Sequence, residues 1–304
     1  MQARPAIQQG ILRRRFLAIG TGAAVVSGRA WAANDASHVA RLNGLRIHYE
    51  NYGPESSPEA LVFIHGWACD LTFWRGQEPL YTSPKYRSLL IDLPGHGLSD
   101  KPHRAYPIDF FARAVEAVMR DAGVERAVLI GHSLGGPIAY AFLRLFSEKA
   151  QALVLVDAFV SRHMAGPADR ASTAAQFARI ARSFQGPAGE KTFVQRVESC
   201  FTSQTPEALR AEIRAKMAAT PKYVRVAALT SICSLPPPPT DETFNLPAIA
   251  IQAAEVHTQE RFDLMRTIFT RMQLDKWEGA GHFLMLEDPA RFNRDLEQFL
   301  AVLA

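Results

Sequence analysis

A mostly parallel α/β sheet, covered by helices on both faces and interrupted by an all-helical insertion, is the fold class that this sequence predicts. Three observations carry it. Short apolar runs recur at 61–64, 88–91, 127–130, 153–156 and 248–251, without the polar alternation of a half-exposed strand. Helical periods separate several of them, as strand–helix–strand crossovers require. From about Ser161 to about Thr243 there are helical periods but no convincing strand.

Taken in order, His38 to Leu42 and Leu45 to Glu50 read as strands joined at Asn43-Gly44, a strong hairpin signal. Leu61 to Ile64 runs straight into His65-Gly66-Trp67. Ser88 to Ile91 ends at a glycine-punctuated loop from Asp92 to Asp100. Ile108 to Met119 places Phe111, Val115, Val118 and Met119 on one helical face. Leu153 to Val156 is another continuous apolar strand, ending at Asp157. In the insertion, helical spacing links Phe177, Ile180, Ala181 and Phe184, then Phe193, Val197, Cys200 and Phe201, then Leu209, Ile213 and Met217, then Val224, Ala227, Ala228 and Ile232. Together these side chains could wall a pocket for an apolar group; individually each is expected to hold the inserted helices to one another. Pro236 to Pro239 ends the insertion as a stiff connector. Strand character returns at Ala248 to Ile251 and near Gln273 to Trp277, and Phe292 to Leu303 reads as an amphipathic helix. The expected organisation is a leader over 1–32, a core over 33–160, a helical cap over 161–243 and a second core part over 244–304.

The basic balance of the chain belongs to its first 32 residues. The 304 residues carry 34 basic and 30 acidic side chains. Arg4, Arg13, Arg14, Arg15 and Arg29 lie in that leader, which has no acidic residue, so 29 basic side chains face 30 acidic ones beyond it. No basic stripe of the kind that tracks nucleic acid is visible, nor a case for an anionic membrane surface. The leader resembles a twin-arginine export signal, with Arg13-Arg14, a mild apolar run from Phe16 to Val26 and a small-x-small site at Ala30-Trp31-Ala32. The run is too short for a stable membrane anchor, so a periplasmic or secreted protein is expected. Among Cys69, Cys200 and Cys233, the pair to test for a disulfide is Cys200 with Cys233, but separate buried thiols are expected. None has metal-ligand spacing, and no metal is expected.

The chemistry concentrates at Gly131-His132-Ser133-Leu134-Gly135, directly after an apolar strand and before a helical period through Ile138, Ala141, Phe142 and Leu145. This is the nucleophile-elbow pattern, in which a serine occupies a strained strand-to-helix turn and the flanking positions have no room for side chains. A serine hydroxyl needs a base. His282, in the glycine-rich loop Gly279-Ala280-Gly281-His282-Phe283 after the last strand signal, is the candidate. His132 adjoins the serine and points elsewhere; His65 and His96 read as parts of glycine turns.

These segments, in this order, resemble the α/β-hydrolase superfamily, in particular its capped esterase-like members. The resemblance covers residues 38 to 304 and implies an eight-stranded sheet, a Ser-acid-His triad and an oxyanion hole of two main-chain N–H groups, here Trp67 and Leu134. It places the acid shortly after the penultimate strand, where Glu255 is the matching carboxylate and the expected acid; Asp157 is the alternative and Asp263 a distant third. Trp67, His132 and Phe283 are candidate substrate contacts. The implied reaction is hydrolysis of small or medium apolar carboxylic esters through an acyl-enzyme, without a cofactor. The same triad could instead act on a carbon–carbon bond, an amide, a lactone or in perhydrolysis, or the scaffold could serve as a ligand sensor. A serine at 133 disfavours the dehalogenase and epoxide-hydrolase chemistries of the superfamily, which use a carboxylate nucleophile.

Overall fold

A computed structural model describes residues 36–160, 170–254 and 259–303. The leader, the start of the insertion at 161–169 and Glu255 lie outside the described residues.

The hairpin β1 (Ser37–Leu42) and β2 (Leu45–Tyr52) turns at Asn43 and Gly44, with φ of 50° and 84°. Two consecutive positive φ values are what the twisted two-residue turn demands, and Asn-Gly supplies them cheaply. β3 (Glu59–Ile64) follows, then a 3₁₀ segment over Leu71–Gln77 and the one-turn α1 (Glu78–Tyr81). The sequence patterns missed these two pieces because their buried residues have neither a strand nor a long helical period. β4 (Ser88–Ile91), α2 (Ile108–Asp121), β5 (Arg126–His132), α3 (Gly135–Leu145) and β6 (Ala150–Val156) complete the first half.

Among the described residues, four helices stand between β6 and the next strand: α4 (Arg170–Gln185), α5 (Gly189–Glu198), α6 (Glu207–Ala219) and α7 (Lys222–Cys233). Their apolar faces, with Phe184, Phe193, Val197, Ile213, Met217, Val224 and Ile232, are buried. β7 (Phe244–Ala253), α8 (Gln259–Ile268), β8 (Phe269–Trp277), α9 (Leu284–Glu287) and α10 (Pro289–Ala301) close the chain. α10 starts three residues before the expected Phe292. Asp288 caps it by accepting from the Arg291 N–H, and Pro289 sits at its first position, where a missing N–H costs nothing.

The eight strands run in the order β1-β2-β4-β3-β5-β6-β7-β8. β1 and β2, and β2 and β4, pair antiparallel; every other pair is parallel. Every residue of β5 from Ala127 to His132 is buried, so both faces of the sheet centre are covered. The edge strand β8 is largely half-buried or exposed, which is why its first residues escaped a search for continuous apolar runs.

Register then positions the chemistry. Ile64 pairs with Gly131, His132 with Val156, and Val156 with Ile251. The residues that leave β3, β5, β6 and β7 therefore emerge at one carboxyl edge of the sheet, where open α/β sheets place their sites. Cys69, Cys200 and Cys233 are buried thiols rather than a disulfide pair. No helix among the described residues is long and apolar enough to cross a membrane.

Candidate active site

Ser133 follows β5 directly with φ of 51°, a left-handed backbone that costs a side-chain-bearing residue about 1–2 kcal/mol. Its N–H donates to Val156 O at 3.0 Å, and its carbonyl accepts from the Gly136 N–H at 3.0 Å. The flanking glycines are required by space. A Cβ on Gly131 would stand 2.4 Å from Gly135 O, and one on Gly135 would stand 2.4 Å from Ile64 O. Neither obstacle is a side chain that can swing away. Gly131→Ala and Gly135→Ala are each expected to destabilise the fold by roughly 3 kcal/mol or more, read from urea midpoints. Wild-type midpoints in both variants would contradict this packing.

The two ring nitrogens of His282 are both engaged. Nε2 lies 2.9 Å from Ser133 Oγ, and Nδ1 lies 2.5 Å from Asp157 Oδ2. Asp157 is the first residue after β6. Its N–H donates to Ile251 O at 2.8 Å, and its Oδ1 accepts from the Ala253 N–H at 3.0 Å, so β7 holds it from two sides. With φ of 42° it is a second left-handed, non-glycine residue at this edge. Ser133 is half-buried, the His282 side chain is 18% exposed and the Asp157 side chain is fully buried. The carboxylate at His282 Nδ1 is Asp157, ranked second from sequence; the preferred Glu255 lies outside the described residues. Asp263 is an exposed residue of α8, hydrogen-bonded to Gln259 and beside Arg266.

The His65-Gly66-Trp67 turn abuts the serine, since a Cβ on Gly66 would stand 3.2 Å from Ser133 Cβ. His65 staples this turn. Its Nδ1 donates to Gly66 O at 2.8 Å and its Nε2 accepts from the Leu93 N–H at 3.0 Å, which fixes a neutral tautomer. Trp67 ends this turn, and Leu134, the residue after Ser133, stands at the N-terminus of α3. The indole of Trp67 is committed elsewhere: it donates to Arg225 O at 2.7 Å and meets Phe184 and Phe193 edge-on.

Two expected substrate contacts turn out to be packing. His132 is fully buried beneath His282, its Nε2 donating to His282 O at 2.9 Å. Phe283 is 1% exposed and packs against Phe73, Phe201 and His132. Both support the His282 loop from below. Trp67 likewise presents a buried indole to the inserted helices.

Burial pushes His132 down to about 3, helped by the neighbouring His282. Burial also pushes His96 down to about 3, helped by His65, and His65 itself is lowered by burial. Such groups are neutral when folded, whereas the unfolded chain takes up protons near 6.5. The contribution of His132 and His96 to stability is thus fully present above about pH 6.5 and is lost as pH falls toward 3, at a few kcal/mol each; His65 adds to it with the same sign. Urea unfolding at a series of pH values is expected to give stability that is level near neutrality and declines steeply below about pH 6. A midpoint unchanged between pH 7 and 4 would contradict these assignments.

Residues 59–202 match the family model described as the alpha/beta hydrolase fold. The chain is 32% identical over 122 residues to a bifunctional esterase/perhydrolase of Acinetobacter calcoaceticus, covering 40% of this chain and 44% of that protein. It is 32% identical over 120 residues to an epoxide hydrolase of Caenorhabditis elegans, covering 39% of this chain and 29% of that protein. The chain thus spans less than half the length of these curated relatives. A solved thermophilic esterase from Thermogutta terrifontis superposes with a TM-score of 0.74 at 20% identity, covering 88% of this chain and 98% of that one. Identity at that level speaks for the fold alone.

Proposed function

We propose, from its α/β-hydrolase fold, that the chain is a serine hydrolase that cleaves carboxylic esters of small or medium apolar substrates. The single observation that carries the reading is the hydrogen-bonded series Ser133 Oγ, His282 Nε2, His282 Nδ1 and Asp157 Oδ2. It joins a hydroxyl, a base and a buried carboxylate in the order that acyl transfer needs.

In this reading His282 Nε2 accepts the Ser133 proton as Oγ attacks the acyl carbon. The carbonyl electron pair moves to oxygen, held by the Trp67 and Leu134 N–H groups at the positive end of α3. His282 then protonates the departing alkoxide, leaving an ester on Ser133. Water attacks that ester with His282 as base, and the acid product leaves as Ser133 regains its proton. Asp157 fixes the Nδ1–H tautomer and stabilises the transient imidazolium. The serine also bears on the epoxide-hydrolase relative: a hydroxyl at the elbow supports acyl transfer better than the carboxylate-nucleophile chemistry expected for ring opening.

The export signal belongs to the same proposal: the enzyme acts outside the cytoplasm on esters that reach it there. A series of p-nitrophenyl esters from acetate to decanoate tests the activity, with turnover expected at the shorter and middle lengths. Absence of turnover on every ester, with fluorophosphonate labelling of Ser133 intact, would move the same triad to another bond, such as a lactone, an amide or a peracid. Absence of both would leave the ligand-binding reading.

A further inference from the structure

The loop that carries His282 is gripped by the inserted helices as well as by the sheet. The His282 N–H donates to Cys200 O at 2.9 Å, just past the end of α5. The Gly281 N–H donates to Glu287 Oε2 at 2.6 Å, and the other oxygen of that carboxylate accepts from the Thr205 hydroxyl at 2.8 Å. Thr202 adds a hydrogen bond from its hydroxyl to Gly279 O at 3.3 Å. Thr205 is only 3% exposed and sits in the tight turn between α5 and α6, where the Thr202 N–H donates to its Oγ1 at 3.0 Å and Arg210 Nε donates to its carbonyl at 2.9 Å. The fit leaves no slack, since a Cβ on Gly281 would stand 2.4 Å from Glu287 Oε1 and 3.0 Å from Cys200 O.

We propose that Glu287 and Thr205 are positioning residues for His282: the Glu287 carboxylate bridges the Gly281 N–H and the Thr205 hydroxyl, and so fixes the base loop to the inserted helices. This rests on the hydrolase reading above. Its physical basis is the narrow tolerance of proton transfer, because a shift of about 1 Å in the imidazole costs on the order of a hundredfold in rate. Local stability alone does not require both carboxylate oxygens to be used in this way. One oxygen on the Gly281 N–H would satisfy that loop, whereas the second ties it to a turn 82 residues earlier in the chain.

Glu287→Ala is expected to lower kcat for a short p-nitrophenyl ester by about 10–100-fold with KM changed less than about threefold. The acidic limb of the pH–rate profile should move with it, because the imidazole no longer sits squarely between Asp157 and Ser133. Glu287→Gln keeps an acceptor for the Gly281 N–H and should recover most of the rate, while Thr205→Val should fall between wild type and Glu287→Ala. The rate of Ser133 phosphonylation by a fluorophosphonate should fall in step with kcat. An unchanged kcat and pH profile in folded Glu287→Ala, with the wild type active, would overturn the proposal. So would a loss in Glu287→Ala that matches its unfolded fraction and disappears at lower temperature. An inactive wild type that is also unreactive to the probe would instead overturn the hydrolase reading.

Discussion

Ser133→Ala is expected to reduce ester kcat by about 10⁶-fold, to the level set by binding and the oxyanion donors alone. The loss is large because the hydroxyl lies 2.9 Å from the only basic nitrogen that His282 has left once Nδ1 is engaged by Asp157. Stability should hardly change, since alanine keeps the Cβ that strains the turn at φ 51°. Ser133→Gly should be equally inactive but more stable than Ser133→Ala by about 1 kcal/mol, because glycine adopts positive φ without penalty. Together the pair separates catalysis from backbone strain. Retained activity in either variant would remove Ser133 from the mechanism, and equal stabilities would remove the strain argument.

Asp157→Asn is expected to cost about 10⁴-fold in kcat, against less than about threefold for Glu255→Gln. Asparagine tolerates the left-handed backbone that Asp157 adopts at φ 42°, so the substitution isolates the charge. Its amide can offer a donor to His282 Nδ1, which leaves the proton on Nε2 and the ring unable to act as base. The negative charge that offsets the imidazolium is lost as well, at a side chain with no solvent exposure to replace it. If Glu255→Gln were the crippling variant and Asp157→Asn nearly neutral, the acid would lie after β7 and the geometry around Asp157 would be structural.

Much of this arrangement was legible in the residues themselves. The unbroken apolar run before Ser133 and the glycines at 131 and 135 are direct consequences of a fully covered strand and a turn without room for a Cβ. His282 was legible for a similar reason, as an imidazole in a glycine loop behind the last strand. Asp157 was harder to rank. Its distinguishing features are a left-handed φ and hydrogen bonds to the main chain of Ile251 and Ala253, neither of which leaves a mark on residue type. An aspartate at a strand end is common, and only the pairing of β6 with β7 shows where its carboxylate goes. The supporting roles of Cys200 and Arg225 were invisible, because each contributes a carbonyl oxygen that any residue could offer. His132 and Phe283 were misread as substrate contacts because adjacency in sequence to Ser133 and His282 does not say which side of a loop a ring takes. Their burial beneath His282 goes with packing of Phe283 against Phe73 and Phe201 and of His132 against Trp74, residues far away along the chain.

The proposed chemistry depends on Ser133 being a nucleophile made reactive by His282 and Asp157. Mass-spectrometric mapping of a fluorophosphonate adduct on the full-length protein, with the labelling rate measured in wild type, His282→Ala and Asp157→Asn, tests it most directly. A single adduct on the peptide holding Ser133 is predicted, forming at least about a hundredfold more slowly in both variants. An adduct on another residue, or equal labelling rates in all three proteins, would contradict it.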